Sequence, residues 1–120
     1  MENVDHVQSY QKLRQLSAKL IAEIPATMAG FGELHASAVS QGALDSKTKE
    51  LIALSIGIAV HCNGCIAFHV HDALKAGANR QEILETIGVA ILMGGGPSMV
   101  YGCEALEALD QFEQDEQLPL

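Results

Sequence analysis

The chain has 120 residues, of which 48% are hydrophobic but only 4% aromatic, and its formal net charge is −8. This length fits one domain with one core over residues 1–120, and the acidic balance argues against nucleic acid or an anionic membrane as a partner. The apolar residues are mainly Ala, Leu, Ile and Val. This mixture favours helices packed through small side chains, so we expect an all-α fold of about six helices.

The first six residues lack the basic and apolar regions of a secretory signal. The chain has three cysteines, an odd number that fits free thiols in a reducing compartment, so we expect a cytoplasmic protein. The apolar runs 51–60 and 87–93 are shorter than the ~20 residues that cross a bilayer. They are apolar around nearly the whole helix, however, and we therefore expect a homo-oligomer that covers them.

In the first third of the chain, apolar residues recur at helical spacing. They predict a first helix over about residues 4–23, which Pro25 ends. The same period predicts a second helix over residues 28–39, before Gly42.

The middle of the chain predicts a third and a fourth helix. Asp45 or Ser46 can cap the third, which runs to Val60. Asn63 and Gly64 then interrupt the helical signal, and the pattern resumes towards Gly77. The C-x-x-C pair is therefore expected at the N-terminus of the fourth helix.

The last third of the chain predicts two more helices. Asn79 and Glu82 have the spacing of a capping box for the fifth. The glycines at 94–96 end it, and Pro97 is well placed in the first turn of the sixth. We expect the acidic tail, residues 110–116, to be frayed.

The segment from His61 to His69 contains two thiols and two imidazoles within about two and a half helical turns. A C-x-x-C pair is typical of a dithiol/disulfide couple or of half a metal site. The third cysteine, Cys103, stands alone. A zinc site of four thiolates within one chain is therefore excluded.

The neighbours of the C-x-x-C pair favour redox chemistry. A helix N-terminus lowers the pKa of a thiol, and His69, four residues after Cys65, lies on the same helical face and can accept its proton. Glu50 can orient His69 if the third and fourth helices cross. Cys65 would then attack a hydroperoxide to give a sulfenic acid, Cys62 would resolve it as a disulfide, and an external dithiol would reduce the pair.

Four further histidines and the third cysteine lie in other sequence contexts. His61 could tune the neighbouring thiol, or it could simply be an exposed residue at a helix end. We expect His6, His35 and His71 to be surface or packing residues outside the redox constellation. Cys103 lies among apolar residues at helical spacing, so we expect a small core side chain.

Three motifs together point to a known family. They are Lys-x-Lys-Glu-Leu-Ile-Ala-Leu-Ser-Ile over 47–56, Cys-Asn-Gly-Cys over 62–65 with His69, and Leu-Met-Gly-Gly-Gly-Pro over 92–97. The ordered set E-x11-C-x2-C-x3-H is far more specific than C-x-x-C alone. Over about residues 20–110 the chain resembles the AhpD-like alkylhydroperoxidase branch of the carboxymuconolactone decarboxylase superfamily.

This resemblance implies an all-α helical bundle, an obligate homo-oligomer, with a trimer or hexamer expected, and a thiol-dependent peroxidase or disulfide reductase. It implies that Glu50, Cys62, Cys65 and His69 form the catalytic relay, with Cys65 peroxidatic and Cys62 resolving. The helix-start argument alone instead favours Cys62 as the more acidic thiol. No cofactor or metal is expected beyond the redox-active disulfide. The expected partners are a hydroperoxide or disulfide substrate and a small-molecule or protein dithiol donor.

Two alternatives remain open from the sequence. In the first, Cys62, Cys65 and His69 bind zinc with Glu50 or His61 as fourth ligand, or the dithiol only senses redox state. In the second, the chain is a carboxymuconolactone decarboxylase-type lyase. The dithiol argues against the second alternative, since the decarboxylase branch of the resembled superfamily generally lacks the C-x-x-C.

Overall fold

The computed structural model describes residues 4–115, which form six α-helices and no β-strand. The all-α prediction is therefore confirmed, and so is the position of the C-x-x-C pair at the start of the fourth helix. The helices are α1 (His6–Glu23), α2 (Pro25–Val39), α3 (Ser46–Ala59), α4 (Asn63–Lys75), α5 (Arg80–Gly94) and α6 (Gly96–Gln114).

Asp and Asn side chains cap the starts of three helices. The carboxylate of Asp5 accepts a hydrogen bond from Gln8 N at 2.9 Å, so α1 begins two residues later than expected. Asp45 does the same for α3, accepting from Thr48 N at 2.7 Å. The capping box at the start of α5 is present: the Asn79 and Glu82 side chains each accept from the other's backbone N–H.

Two turns between helices contain almost no linker. Pro25, expected to end the first helix, also begins α2, where its missing N–H costs nothing; α2 therefore starts earlier than predicted. Between α5 and α6 only Gly95 lies outside a helix. Its φ is 73°, in the left-handed region that glycine adopts without strain.

The acidic tail is not frayed where it is described. Helix α6 continues to Gln114, because Phe112 is 1% exposed and anchors the last turns in the core. Arg80 donates to both Asp110 and Glu113, at 2.7 and 2.6 Å. Residues 116–120 lie outside the part of the chain that the structure describes. The prediction for residue 116 therefore lies outside it too.

The core lies among α3, α4, α5 and α6, with the first turns of α1 packed against it. The largest fully buried side chains are Phe112, Leu54, Ile58, Ile66, Ile83, Leu109 and Val70. Helix α2 differs from the other five, since none of its residues is buried. No helix within residues 4–115 has the length and hydrophobicity needed to cross a bilayer.

Candidate redox site

The chain turns sharply between α3 and α4, and this turn presents the two cysteines. His61 has a φ of 62°, the only positive φ of a non-glycine residue in the described chain. Cys62 follows as the N-cap of α4, and its Sγ accepts a hydrogen bond from Cys65 N at 3.2 Å. The interruption predicted at Asn63 and Gly64 thus falls one to two residues earlier, because both of those residues already belong to α4.

Cys62 and Cys65 form a disulfide that packs directly on α3. The N–H of Cys62 donates to the carbonyl of Gly57 at 3.0 Å. Gly57 is buried, and a Cβ placed on it would lie 3.1 Å from the Cβ of Cys65. The absence of a side chain at Gly57 therefore allows α3 to approach the start of α4 closely and support the disulfide from behind.

Helices α3 and α4 also bring Glu50 to His69, as the sequence predicted. Nδ1 of His69 lies 2.8 Å from Oε2 of Glu50, and Glu50 is only 5% exposed. An ionised carboxylate accepts, so Nδ1–H donates and Nε2 remains as the basic nitrogen of the ring. The pair has the geometry of an oriented general base, with the imidazole one turn along α4 from Cys65.

A cavity of about 750 Å³ brings these residues together. Its wall includes Cys62, Cys65 and His69, so the two cysteines and the candidate base share one cavity. Apolar side chains from three helices, Leu13 of α1, Phe31 of α2 and Phe68 of α4, form much of the remaining wall. An apolar cavity with a few polar groups is the usual form of a small-molecule site.

The structure adds three residues to the wall of this cavity: His35 and His71, which were expected outside the site, and Asp72, which the sequence analysis did not consider. His35 is exposed, as expected, but it does not lie apart from the constellation: its ring nitrogen and one carboxylate oxygen each of Glu50 and Asp72 lie within 4.8 Å of one another. His35 belongs to α2, 34 residues before His69 by their numbers, so only tertiary packing places it there. Asp72 could have been found by its position on the face of α4 that carries His69.

His71 is a packing residue, as expected, but a buried one beside the cavity. Its Nδ1 lies 2.9 Å from Oδ1 of Asp72, and its ring stacks on Tyr10 at 4.4 Å between centroids. Burial raises the pKa of Tyr10 above its usual value, partly opposed by the positive charge of Arg14. Tyr10 is therefore a neutral phenol at physiological pH.

Among residues 4–115, His35, Glu50 and Asp72 are the ligand-bearing side chains that cluster closely enough to hold a metal ion. The zinc site considered from the sequence consisted of Cys62, Cys65 and His69 with Glu50 or His61 as fourth ligand, so the two sets share at most Glu50. In the structure both sulfurs are joined in the disulfide, and His69 is turned towards Glu50.

His61 and His6 do not line the cavity that contains the disulfide. His61 is exposed and stacks on Tyr101, with the ring centroids 4.5 Å apart. His6 is a packing residue, as expected: it is 3% exposed, and its Nε2 lies 2.8 Å from Oε1 of Glu107.

The expectation for Cys103 was wrong, since this thiol is exposed and not in the core. The buried residues of α6 follow one face of the helix: Ser98, Gly102, Ala105, Ala108, Leu109 and Phe112. Cys103 follows Gly102 directly and is rotated away from that face by about 100°. Its apolar neighbours in sequence, Met99, Val100 and Leu106, are exposed with it.

A family model and two solved structures that match this chain all point to one family. Residues 25–108 match the model of the carboxymuconolactone decarboxylase family. A family protein from Legionella pneumophila, solved in its apo form, is 45% identical, with a TM-score of 0.88 over 91% of this chain and 97% of its own. An uncharacterized protein of Cupriavidus necator is 36% identical over 72% of this chain and 76% of its own length.

A second solved structure is more distant. It is a carboxymuconolactone decarboxylase family protein of Thermotoga maritima, for which an involvement in antioxidative response has been suggested. It is 24% identical, with a TM-score of 0.80 over 88% of this chain and 91% of its own. At this identity the match shows the shared fold.

Proposed function

This chain belongs to the carboxymuconolactone decarboxylase family, and from that premise we propose that it is a thiol-dependent peroxidase or disulfide reductase. The observation that carries the proposal is the 2.8 Å contact between Glu50 and His69, because His69 lines the same cavity as the Cys62–Cys65 disulfide. A redox-active dithiol needs a proton acceptor of this kind, because the thiolate is the nucleophile.

In the reduced protein, we propose that Nε2 of His69 takes the proton of Cys65 and that Glu50 stabilises the imidazolium. The thiolate attacks the terminal oxygen of a hydroperoxide: a sulfur–oxygen bond forms, the oxygen–oxygen bond breaks, and the alcohol leaves with the proton from His69. Cys62 then attacks the sulfenic sulfur, which releases water and forms the disulfide. The protein loses two electrons and the hydroperoxide gains them.

An external dithiol completes the cycle by attacking the disulfide and reducing both sulfurs. The N-cap position of Cys62 serves this step, because the N–H of Cys65 already donates to its Sγ and would stabilise a thiolate there. We thus propose that each thiol is activated in its own way. The base His69 activates Cys65, and the N-terminus of α4 stabilises the thiolate of Cys62. Because the activity needs an external dithiol, we expect it in a reducing compartment such as the cytoplasm.

The proposal is tested with Cys65→Ser and Cys62→Ser. Cys65→Ser is expected to abolish turnover of an alkyl hydroperoxide with dithiothreitol as reductant. Cys62→Ser should react once and retain a sulfenic acid on Cys65, detected by dimedone labelling and mass spectrometry. Cys103→Ser is the matched control and should behave as wild type. Labelling of Cys62 in Cys65→Ser, with none in Cys62→Ser, would reverse the roles; full turnover by both variants would refute the proposal.

We further propose that the protein acts as a homo-oligomer, with a trimer or hexamer expected. The support is the exposed apolar surface of the α1–α2 hairpin, where Phe31 and Leu34 are each 63% exposed. Such a surface is unusual in a monomer and is normally covered by a partner. Leu16, Leu20, Ile21 and Ile24 extend it along α1.

Sedimentation velocity tests this assembly. The wild type is expected to sediment as a stable oligomer at micromolar concentration, and Leu34→Glu, which puts a charge on the exposed face, should shift it towards monomer. The control for added negative charge is Lys19→Glu, at an exposed position of α1. This variant should leave the assembly intact. A wild-type protein that sediments as a stable monomer contradicts the proposal.

A further inference from the structure

A histidine and two carboxylates from three different helices converge beside the cavity that contains the disulfide. His35 lies on α2, Glu50 on α3 and Asp72 on α4. One ring nitrogen of His35 and one oxygen of each carboxylate lie within 4.8 Å of one another. His35 and Asp72 line the cavity, and Glu50 is only 5% exposed. The group therefore differs from a patch of acidic side chains on the surface.

The two carboxylates each keep one oxygen for a further ligand. Oε2 of Glu50 lies 2.8 Å from Nδ1 of His69, and Oδ1 of Asp72 lies 2.9 Å from Nδ1 of His71. Within residues 4–115, no side chain or backbone N–H donates to Oε1 of Glu50 or Oδ2 of Asp72. A buried carboxylate oxygen without a donor costs free energy, and a cation held at this point would offset that cost.

The spacing of the three groups fits one shared ion better than a direct bond. Among the described residues, His35 forms no ion pair with either carboxylate, so its ring nitrogen lies beyond the ~4 Å of such a pair. Two ligands on opposite sides of a zinc ion are separated by about 4.2 Å, which is twice a bond of about 2.1 Å. Because His35 is exposed, its ring can close the small remaining difference by rotating about its side-chain bonds.

We propose that His35, Glu50 and Asp72 bind one divalent metal ion of zinc-like chemistry, with water completing its coordination. Imidazole nitrogen and carboxylate oxygen are both zinc ligands, whereas calcium takes about six to eight oxygens, more than this group supplies. The hydrogen bonds to His69 and His71 hold the two carboxylates in place, as partners behind metal ligands commonly do.

The ion would also join parts of the fold that are packed differently. Each ligand comes from a different helix. Helix α2 buries no residue, while α3 and α4 pack closely on each other. A metal held by His35 on one side and by Glu50 and Asp72 on the other therefore fixes α2 over the cavity. This inference does not rest on the proposed peroxidase function, since it concerns the oxidised protein and needs no turnover.

Calorimetry with zinc chloride as the titrant tests the site. The protein is the oxidised Cys103→Ser variant, in which no free thiol remains. We expect one zinc ion per chain, and His35→Gln and Asp72→Asn should each weaken binding at least about tenfold, since even partners behind metal ligands contribute that much. The matched control is His61→Asn, which removes an exposed histidine outside the cavity and should leave the affinity unchanged. Absence of zinc binding, or equal affinity in both ligand variants and the parent, would overturn the proposal.

The redox state of the protein separates this site from a zinc site on the thiols. With the disulfide intact, neither Cys62 nor Cys65 can supply a thiolate ligand, so the proposed site predicts zinc binding before any reductant is added. Binding that appears only after reduction, and is lost in Cys65→Ser, would place zinc on the thiols and refute the site at His35.

Hydrogen exchange measured by mass spectrometry tests the role of α2. Saturating zinc should slow exchange of the α2 amides in the oxidised protein, because an ion that binds only the closed arrangement stabilises it. The same addition should leave α2 exchange unchanged in His35→Gln. Exchange of α2 that does not respond to zinc in the parent protein would show that His35 is not a ligand.

Discussion

Helices α3 and α4 differ from the α1–α2 hairpin in how they bury their side chains. Helix α3 packs more extensively on α4 than any other pair of described helices packs, and Glu50, Cys62, Cys65 and His69 all lie on or between these two helices. Helix α2 buries no residue, yet its Phe31 and His35 line the same cavity. The closely packed part of the fold thus holds the redox residues, while the exposed helix α2 supplies a cavity wall and a candidate assembly surface.

This division has a physical reason. Redox and proton-transfer groups need fixed distances, and closely packed helices provide them because a well-packed core deforms little. A substrate wall tolerates more movement, so it can be built from a helix whose own apolar side chains remain exposed in the single chain. Substitutions in the two regions should therefore have different consequences.

The largest expected effect concerns the α3–α4 contact itself. His69→Ala is expected to slow the reaction of the Cys65 thiol with iodoacetamide at neutral pH by about 10²–10⁴-fold, the usual contribution of a general base. Glu50→Gln should slow it less, since it removes only the partner of His69. The rates are measured against pH in single variants and in the double variant.

The double variant shows whether the two residues act as one unit. Because Glu50 has no imidazole to orient once His69 is gone, the double variant should resemble His69→Ala alone, with losses far from additive. Additive losses would mean that Glu50 acts independently of His69, and the proposed relay would be wrong.

A matched pair of phenylalanine substitutions compares the two regions directly. Phe112→Ala empties a site that is 1% exposed and should lower the free energy of unfolding by about 3–5 kcal/mol. Phe31→Ala removes a ring that is 63% exposed and should change it by less than about 0.5 kcal/mol in the monomer. Urea unfolding of both variants in a monomeric background such as Leu34→Glu measures this. Similar losses would show that α2 is as firmly packed as the core.

The smallest expected effect concerns the ion pair that links the starts of α3 and α5. Nζ of Lys47 donates to Oε2 of Glu82 at 2.8 Å, and this bond lowers the pKa of the Glu82 carboxyl. A carboxyl whose pKa is lower in the folded than in the unfolded state stabilises the protein above its unfolded pKa. That contribution is lost as the pH falls through the lowered folded pKa.

Glu82→Gln tests this pH dependence while keeping a side chain that can accept from the N–H of Asn79. We expect the variant to lose less stability than the wild type as the pH is lowered from about 5 to 3. Melting temperatures across that range provide the measurement. Parallel pH profiles for the two proteins would show that the Lys47 contact contributes nothing to stability.

Much of the redox site could be predicted because its residues are close in sequence. Cys62, Cys65 and His69 share the start of one helix, so helical geometry alone puts them near one another. The contact of Glu50 with His69 was predicted only on the condition that α3 and α4 cross, and the structure meets that condition. The catalytic roles of these four residues stay predictions.

The sequence by itself determined the helices, their caps and the position of the thiols, since hydrophobic period, Asp and Asn caps and glycine breaks act over a few residues. Only the tertiary structure decided which helix faces meet. It brought His35 of α2 to the buried Glu50 and turned Cys103 to solvent. A helical pattern predicts that a residue lies on an apolar face. Packing against helices distant in sequence decides whether that face is covered.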